Sequence, residues 1–219
     1  MATLKVSIVL RPTMELKERI LAKAHELFHK YGMRSVTMDE IASQLGISKK
    51  TIYQSFADKD ELVDATIQQH IDGSKCRCES DREKAENAIH EIFLTMDMVQ
   101  ELLSDMSPTI FFDLEKFHPK TFAKLARYRN EYLYQVIRNN LELGIKEELY
   151  RPEINVDVTT KIRLETMFLP FNQLLFPQGK YSLVEVEQET LEHFLFGIAT
   201  AKSHKIIIKY KQQRFKVNS

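Results

Sequence analysis

The chain has 219 residues, with 31 Lys and Arg balanced by 31 Asp and Glu, and only six Gly and six Pro. This length suits one domain or two that share a helix, and the scarcity of helix breakers predicts an all-α fold. The balanced charge excludes a long-range attraction to nucleic acid, so any DNA affinity must come from local patches. Because there is no apolar run of about 20 residues and no signal-peptide pattern, the expected location is cytoplasmic.

The first elements in the chain are an arm and a supporting helix. Residues 1–13 alternate apolar and polar side chains up to Pro12 without a partner strand, so they are predicted to form a flexible N-terminal arm. Apolar side chains at helical spacing then predict a helix over about 15–31, which ends at Gly32 as a C-cap.

Residues 37–59 carry the pattern of two short helices joined by a tight turn. Thr37 and Glu40 fit a capping box, in which the two side chains satisfy backbone N–H groups at the start of a helix. Gly46 suits the left-handed residue that ends this helix, and Ser48 suits the N-cap of the next one. This is the pattern of a helix-turn-helix motif.

The second helix of this motif has an apolar and a polar face. Ile52 and Phe56, four residues apart, can point inward. Lysine suits phosphates and guanine acceptors, glutamine suits adenine, and hydroxyl groups suit base edges or phosphates. A solvated face on an ordinary helix is the alternative interpretation. The polar residues that are candidates for contacting DNA are Ser48, Lys49, Lys50, Thr51, Tyr53, Gln54 and Ser55.

The remainder of the chain continues the helical pattern. Asp58 and Glu61 form a second capping box, which predicts a longer helix that reaches about Ile71 and links the N-terminal helices to the rest. Residues 72–84 are polar and contain Gly73, so a helix end and a loop are expected there. Apolar spacing predicts further helical segments, about nine helices in total, over residues 84–104, 109–117, 119–144, 156–175 and 184–211.

The C-terminal residues 211–219 form a basic tail. Cations complement the C-terminus of a helix, so a solvated tail is one interpretation, and a second element that contacts phosphates is the other.

The chain has two cysteines, Cys76 and Cys78, and they are too close for an ordinary disulfide. They are expected to be free thiols on a helix or bend, and a redox switch stays open because Lys75 and Arg77 could lower a thiol pKa. The dispersed histidines show no metal-ligand spacing, so neither a metal site nor a cofactor is expected.

Aromatic and Met residues of the middle helices are candidates for an effector pocket. An apolar lining with occasional hydroxyl groups suits a hydrophobic ligand. Packing in an ordinary core explains the same pattern. The candidates are Phe93, Met96, Phe111, Phe112, Phe122, Tyr128, Tyr132 and Met167.

The N-terminal motifs resemble those of the TetR family of bacterial transcriptional regulators. The remainder of the chain fits that family only in being helical and of suitable length. The matching residues are Arg19 to Phe28, Tyr31, Gly32, Thr37 to Ser48, Thr51 to Tyr53, Phe56 and Lys59 to Leu62.

The resemblance implies a helix-turn-helix domain over residues 14–60 and a helical effector-binding and dimerisation domain over 61–210. The helix that Ser48 opens is similar to the recognition helix of the family, and Thr37, Tyr53 and Lys59 match positions that contact the DNA backbone. The expected function is a repressor that binds a palindromic operator as a homodimer and is released by a small hydrophobic effector.

The resemblance also implies a dimer formed by the last two long helices. Packing within the subunit is the competing interpretation for each residue, because a helical stripe does not reveal its partner. The dimer candidates are Phe168, Phe171, Leu175, Phe194 and Ile198.

Two other functions are considered. An enzyme is disfavoured, because the sequence has no Gly-rich phosphate loop, nucleophile elbow or His pair at metal-ligand spacing. A helical protein-interaction module without specific DNA binding remains the alternative.

Overall fold

The computed structural model describes residues 15–217, so the predicted N-terminal arm lies outside the described residues. Within this part, the chain has helices and isolated bridges but no β-strand, and the predicted all-α fold is confirmed. None of these helices is both long enough and apolar enough to cross a bilayer. The eleven α-helices of residues 15–217 are α1 Leu16–Tyr31, α2 Met38–Leu45, α3 Lys49–Tyr53, α4 Lys59–Lys84, α5 Ala88–Ser104, α6 Ile110–Phe117, α7 Pro119–Arg127, α8 Tyr134–Lys146, α9 Val156–Thr166, α10 Leu183–Ile198 and α11 His204–Val217.

Side-chain caps fix the starts of α2, α3 and α4 where the sequence predicts them. Thr37, Ser48 and Asp58 each accept a hydrogen bond from the backbone N–H three residues later, at 3.1, 3.1 and 2.8 Å. Gly46 ends α2 with φ of 66°, a left-handed conformation that glycine adopts at little cost. These contacts confirm the predicted helix-turn-helix geometry.

Two hydrophobic cores hold the helices together. The first joins α1–α4 to α6 and α7, and Ile20, Ile41 and Leu62 are fully buried in it. The second joins α5, α8, α10 and α11 around Ile89 and Leu141. Because the first core extends across residue 60, the N-terminal helices pack together with α6 and α7; the division at residues 60 and 61 stays a prediction.

The helix α4 is longer than predicted. It continues to Lys84 through the segment where a loop was expected, and Gly73 lies within it. One glycine in a helix interior costs only about 1 kcal/mol. Burial of Ile71 and Cys78 on either side of it offsets that cost, so tertiary packing overrides the local signal.

Two other predicted helices are interrupted. The helix expected over 119–144 contains a π-helical segment, Tyr128–Leu133, that separates α7 from α8. The helix expected over 156–175 ends at Thr166, and a short 3-10 turn that contains Pro170 follows. Proline lacks the N–H that a continuing helix needs, which explains the second interruption.

The helix predicted over 184–211 is divided by the segment 199–203. Thr200 N donates a hydrogen bond to Leu149 O at 2.9 Å. Leu149 lies in the segment after α8, and its carbonyl replaces the one that a continuous helix would offer to Thr200 N. The chain then forms α11, which reaches into the predicted basic tail.

Gly144 lies inside α8 and does not end it. A Cβ atom there would lie 2.0 Å from Cδ2 of Tyr150. The glycine is therefore needed for the close approach of this buried ring, and the predicted helix stop at Gly144 is wrong.

Candidate DNA-binding surface and effector cavity

The exposed face of α3 presents side chains of the types that contact DNA. Ile52 is fully buried and Phe56 is 2% exposed, so these residues fix the opposite face toward solvent. Of the predicted DNA contacts, the exposed residues are Thr37, Ser48, Lys49, Lys50, Tyr53 and Gln54, and the half-buried residues are Thr51, Ser55 and Lys59.

Lys49, the first residue of α3, is paired with an acid on α2. Its Nζ lies 2.6 Å from Oδ2 of Asp39, and both side chains are exposed. The hydrogen bond to Asp39 raises the pKa of Lys49. A phosphate must therefore compete with Asp39 for this ammonium group, a feature that the sequence reasoning missed.

Lys59 is held by the protein itself. Its Nζ donates to Met33 O at 2.5 Å and lies 5.9 Å from the ring centroid of Phe28. Burial lowers the pKa of Lys59. This contact ties the start of α4 to the turn after α1, so the structure favours a structural role over the predicted backbone contact.

The helix α6 is tied to the turn that precedes α2. Arg34 N donates to Oδ2 of the buried Asp113 at 2.9 Å, and Ser107 N donates to His29 O at 2.7 Å. Gly32 has φ of 80°, and a Cβ atom there would lie 2.9 Å from the same Asp113 oxygen. The turn between α1 and α2 therefore fits closely against α6.

The other side of α6 contacts a cavity. The ring of Phe111 meets Phe171 and Phe168 edge-on, with centroid distances of 4.4 and 5.1 Å, and all three rings line the cavity. One short helix thus contacts both the cavity wall and the helix-turn-helix motif.

The cavity has a volume of about 190 Å³ and lies among α4, α5, α8, α9, α10 and the π-helical segment. An engineered apolar cavity of about 150 Å³ binds benzene, so this space is large enough for a compact ligand. Its lining is mainly apolar. Examples from the lining are Ile92, Val99, Leu133, Val136, Ile137 and Leu191.

The π-helical segment contributes polar groups to this cavity. Tyr128 and Arg129 both line it, and the Tyr128 hydroxyl lies 2.7 Å from Oγ of Ser74 on α4. Burial raises the pKa of Tyr128, which keeps the phenol neutral. π-helical turns are frequent at functional sites, and here the turn brings consecutive residues to the cavity wall.

A buried ion pair connects α9 and α10 at the cavity. Arg163 Nη2 donates to Glu187 Oε1 at 2.5 Å, and the two side chains are 9% and 6% exposed. Burial raises the pKa of Glu187, although Arg163 opposes this shift. The sequence reasoning missed both residues. The signal was available, because Glu187 occupies the same helical stripe as Leu191 and Phe194.

A second buried acid, Glu91 of α5, lines the cavity and is bonded to a residue of α8. Asn140 Nδ2 donates to Glu91 Oε2 at 2.8 Å, and both residues line the cavity. Burial raises the pKa of Glu91.

His70 on α4 also lines the cavity and stacks with His25 on α1, with a centroid distance of 6.4 Å. Burial, followed by the nearby His25 and His29, lowers the pKa of His70 to about 4. His70 is therefore neutral at physiological pH.

Four of the eight predicted pocket residues line the cavity, and the other four do not. Met96, Phe111, Tyr128 and Met167 line the cavity. Phe112 is 57% exposed, so it does not belong to the lining. Phe93, Phe122 and Tyr132 pack outside it, and Phe93 contacts Tyr210 of α11 at a centroid distance of 5.5 Å.

The predicted dimer residues are mostly turned inward. Phe168, Phe171 and Phe194 line the cavity, and Ile198 is 5% exposed in the second core. Only Leu175, which is 58% exposed, is available on the surface of the subunit.

The two cysteines are free and lie within α4. Cys78 is buried, and this burial raises the pKa of its thiol to about 11. The lowered thiol pKa that would favour a redox switch is therefore not found at Cys78. Among residues 15–217, no three His, Cys, Asp or Glu side chains are grouped as a metal ion would require.

Comparison with known sequences identifies the N-terminal helices. The family model described as bacterial regulatory proteins, tetR family, matches residues 20–66. The HTH-type transcriptional activator FasR of Mycolicibacterium smegmatis is 41% identical over 61 residues. This match covers 28% of the chain and only 28% of the length of that relative.

Solved structures share the fold over most of the chain. A TetR-family transcriptional regulator from Agrobacterium tumefaciens has a TM-score of 0.71 at 15% identity, covering 84% of this chain and 97% of that one. FadR from Bacillus subtilis, in complex with stearoyl-CoA, has a TM-score of 0.64 at 20% identity, covering 83% and 98%. These proteins are named as transcriptional regulators and not as enzymes. Residues 20–66 thus match the tetR family of bacterial regulatory proteins, and most of the chain shares the fold of solved transcriptional regulators.

Proposed function

We propose that this chain is a ligand-responsive DNA-binding transcriptional regulator, a repressor that binds a palindromic operator as a homodimer and is released by a small hydrophobic effector. The observation that carries the proposal is the polar face of α3, which buried Ile52 and the Ser48 cap hold toward solvent. Lys49, Lys50 and Gln54 on this face suit base edges and phosphates, and the exposed Tyr53 hydroxyl suits a phosphate.

A homodimer supplies the second recognition helix. Two such helices about 34 Å apart reach successive major-groove faces of B-DNA, which explains why an operator would be palindromic. On the outer face of α9, Val158 and Ile162 are 49% and 54% exposed and lie one helical turn apart. With Leu175, they are better dimer candidates than the four inward-facing residues, because burial against a second subunit removes apolar surface from water.

The cavity provides the effector site, and α6 provides a route to the DNA. A ligand that displaces Phe111 also moves α6, and Asp113 transmits this movement to the turn before α2. Such a ligand weakens DNA binding only if it prefers the displaced arrangement. FadR, which shares this fold, was solved in complex with stearoyl-CoA, and this supports a ligand-binding role for the fold.

DNA binding is tested by fluorescence anisotropy with a labelled fragment from upstream of the gene. Combining Lys49→Ala with Tyr53→Phe should weaken binding about tenfold, because both side chains are exposed on the proposed surface. The matched control is Lys146→Ala with Tyr134→Phe, at the two ends of α8.

Circular dichroism should show the same helix content for both double variants and the wild type. Unchanged DNA binding by the two single variants and their combination would contradict the assigned surface. A wild type that binds no DNA fragment, while retaining its helical fold, would favour the protein-interaction alternative.

A further inference from the structure

The charged residues that line the cavity balance one another. Among the described lining residues, the cations are Arg129 and Arg163, and the anions are Glu91 and Glu187. His70 adds no charge at neutral pH, since its pKa is lowered to about 4. A ligand with a net charge finds no free counter-ion there, because Arg163 is paired with Glu187, Arg129 is paired with Glu165, and burial raises the pKa of Glu91 and so favours its neutral form.

The ion pair between α9 and α10 nevertheless leaves hydrogen-bonding capacity unused. Nη1 of Arg163 and Oε2 of Glu187 are both buried and have no partner among the described residues. One atom is a donor and the other is an acceptor. Buried polar atoms without partners destabilise a protein, so a ligand that satisfies both gains affinity.

A single small group that reaches both atoms would satisfy them together. A hydroxyl group or a primary amide accepts a hydrogen bond from Arg163 and donates one to Glu187. An ionised carboxylate accepts bonds but donates none, and it would be repelled by Glu187. An apolar group serves neither atom.

The size of the cavity further restricts the ligand. Its volume of about 190 Å³ is only modestly larger than the about 150 Å³ that accommodates benzene. The ring edges and methionines in the lining suit a compact apolar body.

On the basis of the effector role proposed above, we propose that the cavity binds a compact, uncharged, mainly apolar molecule whose hydroxyl or amide group bonds to the Arg163–Glu187 pair. This assignment gives the ligand class and names the residues that select it. Because the pair connects α9 to α10, the same contact places the ligand between two helices of the effector domain.

The inference is tested with four small probes by isothermal titration calorimetry on the full-length wild type at pH 7. Benzyl alcohol and ethylbenzene have nearly the same shape, and so do benzamide and benzoate. Benzyl alcohol should bind about tenfold more tightly than ethylbenzene, and benzamide about tenfold more tightly than benzoate, because hydrogen bonds to charged groups are strong. Equal affinities within each pair, a preference for benzoate, or no binding of any probe would overturn the inference.

The variant Glu187→Gln tests whether the pair is responsible. Glutamine keeps the shape and can still accept a bond from Arg163, but it leaves the arginine without its counter-ion. The preference should then reverse, so that benzoate binds more tightly than benzamide. Glu142→Gln is the matched control, because Glu142 forms an exposed ion pair with Arg138 on α8.

The control should keep the wild-type preference. An unchanged preference in a folded Glu187→Gln variant would overturn the role of the pair. If this variant does not fold, the comparison of probes on the wild type still decides the ligand class.

These titrations contain no DNA, so their result is independent of operator binding. A protein that shows the probe preference but no DNA binding would contradict the proposed function and leave the ligand class in place. A protein that binds DNA but lacks the probe preference would contradict the ligand class and leave the proposed DNA-binding function in place.

Discussion

Replacing Asp113 with alanine tests the contact between α6 and the helix-turn-helix motif. The carboxylate is 5% exposed and accepts a 2.9 Å hydrogen bond from Arg34 N. A hydrogen bond to a charged group contributes about 2 kcal/mol, and the higher helix propensity of alanine returns about 0.5 kcal/mol. We therefore expect Asp113→Ala to lower the free energy of unfolding by about 1.5 kcal/mol.

The assay is urea unfolding followed by circular dichroism, with a thermal scan alongside. For a protein of this size, the same change lowers Tm by about 3–6 °C. Asp113→Asn should lower the free energy of unfolding by about half as much, because the amide oxygen of asparagine can still accept the hydrogen bond from Arg34 N. DNA affinity should fall with Asp113→Ala as well, because the turn that Asp113 holds leads directly into α2.

The matched control is Glu115→Ala on the same helix, where the side chain is exposed. Exposed substitutions of this kind usually change stability by less than about 0.5 kcal/mol. Equal stabilities of Asp113→Ala and Glu115→Ala would refute the reasoning. If Asp113→Ala lowers stability but leaves DNA affinity unchanged, the stabilising contact is confirmed and the proposed coupling of α6 to DNA binding is refuted.

Three further predictions concern close packing, pH and salt. Gly144→Ala should lower the free energy of unfolding in urea by about 3 kcal/mol, because the Tyr150 ring occupies the space of the new methyl group. Gly73→Ala has open space around it and should raise the free energy of unfolding by about 1 kcal/mol. Burial lowers the pKa of His70 from 6.5 to about 4, so the unfolded chain binds more protons between these values, and the stability that this histidine contributes above pH 6.5 is lost as the pH falls toward 4. Lowering the pH from 7 to 5 should therefore reduce the free energy of unfolding of the wild type by about 2 kcal/mol more than that of His70→Gln, and parallel pH profiles would contradict this assignment. Lys49→Ala should reduce the slope of log affinity against log salt concentration by about 0.9 per subunit in anisotropy titrations; an unchanged slope would show that Lys49 contacts no phosphate.

The sequence alone determined the geometry of the helix-turn-helix motif. Capping and the left-handed turn are local interactions between residues a few positions apart, so Thr37, Gly46 and Ser48 were sufficient to predict them. Burial of Ile52 was likewise predictable, because helical periodicity assigns it to the face opposite the lysines. The resemblance of the same residues to the TetR family added the expected role of α3.

Only the tertiary structure decided which apolar side chains line the cavity and which of them face solvent. Phe111 and Phe112 are adjacent in the sequence, yet one lines the cavity and the other is 57% exposed. The Arg163–Glu187 pair joins residues on different helices, and the interruption of the last predicted helix depends on a bond to Leu149. Such contacts join residues that are far apart in the sequence, and periodicity identifies a buried face without identifying its partner.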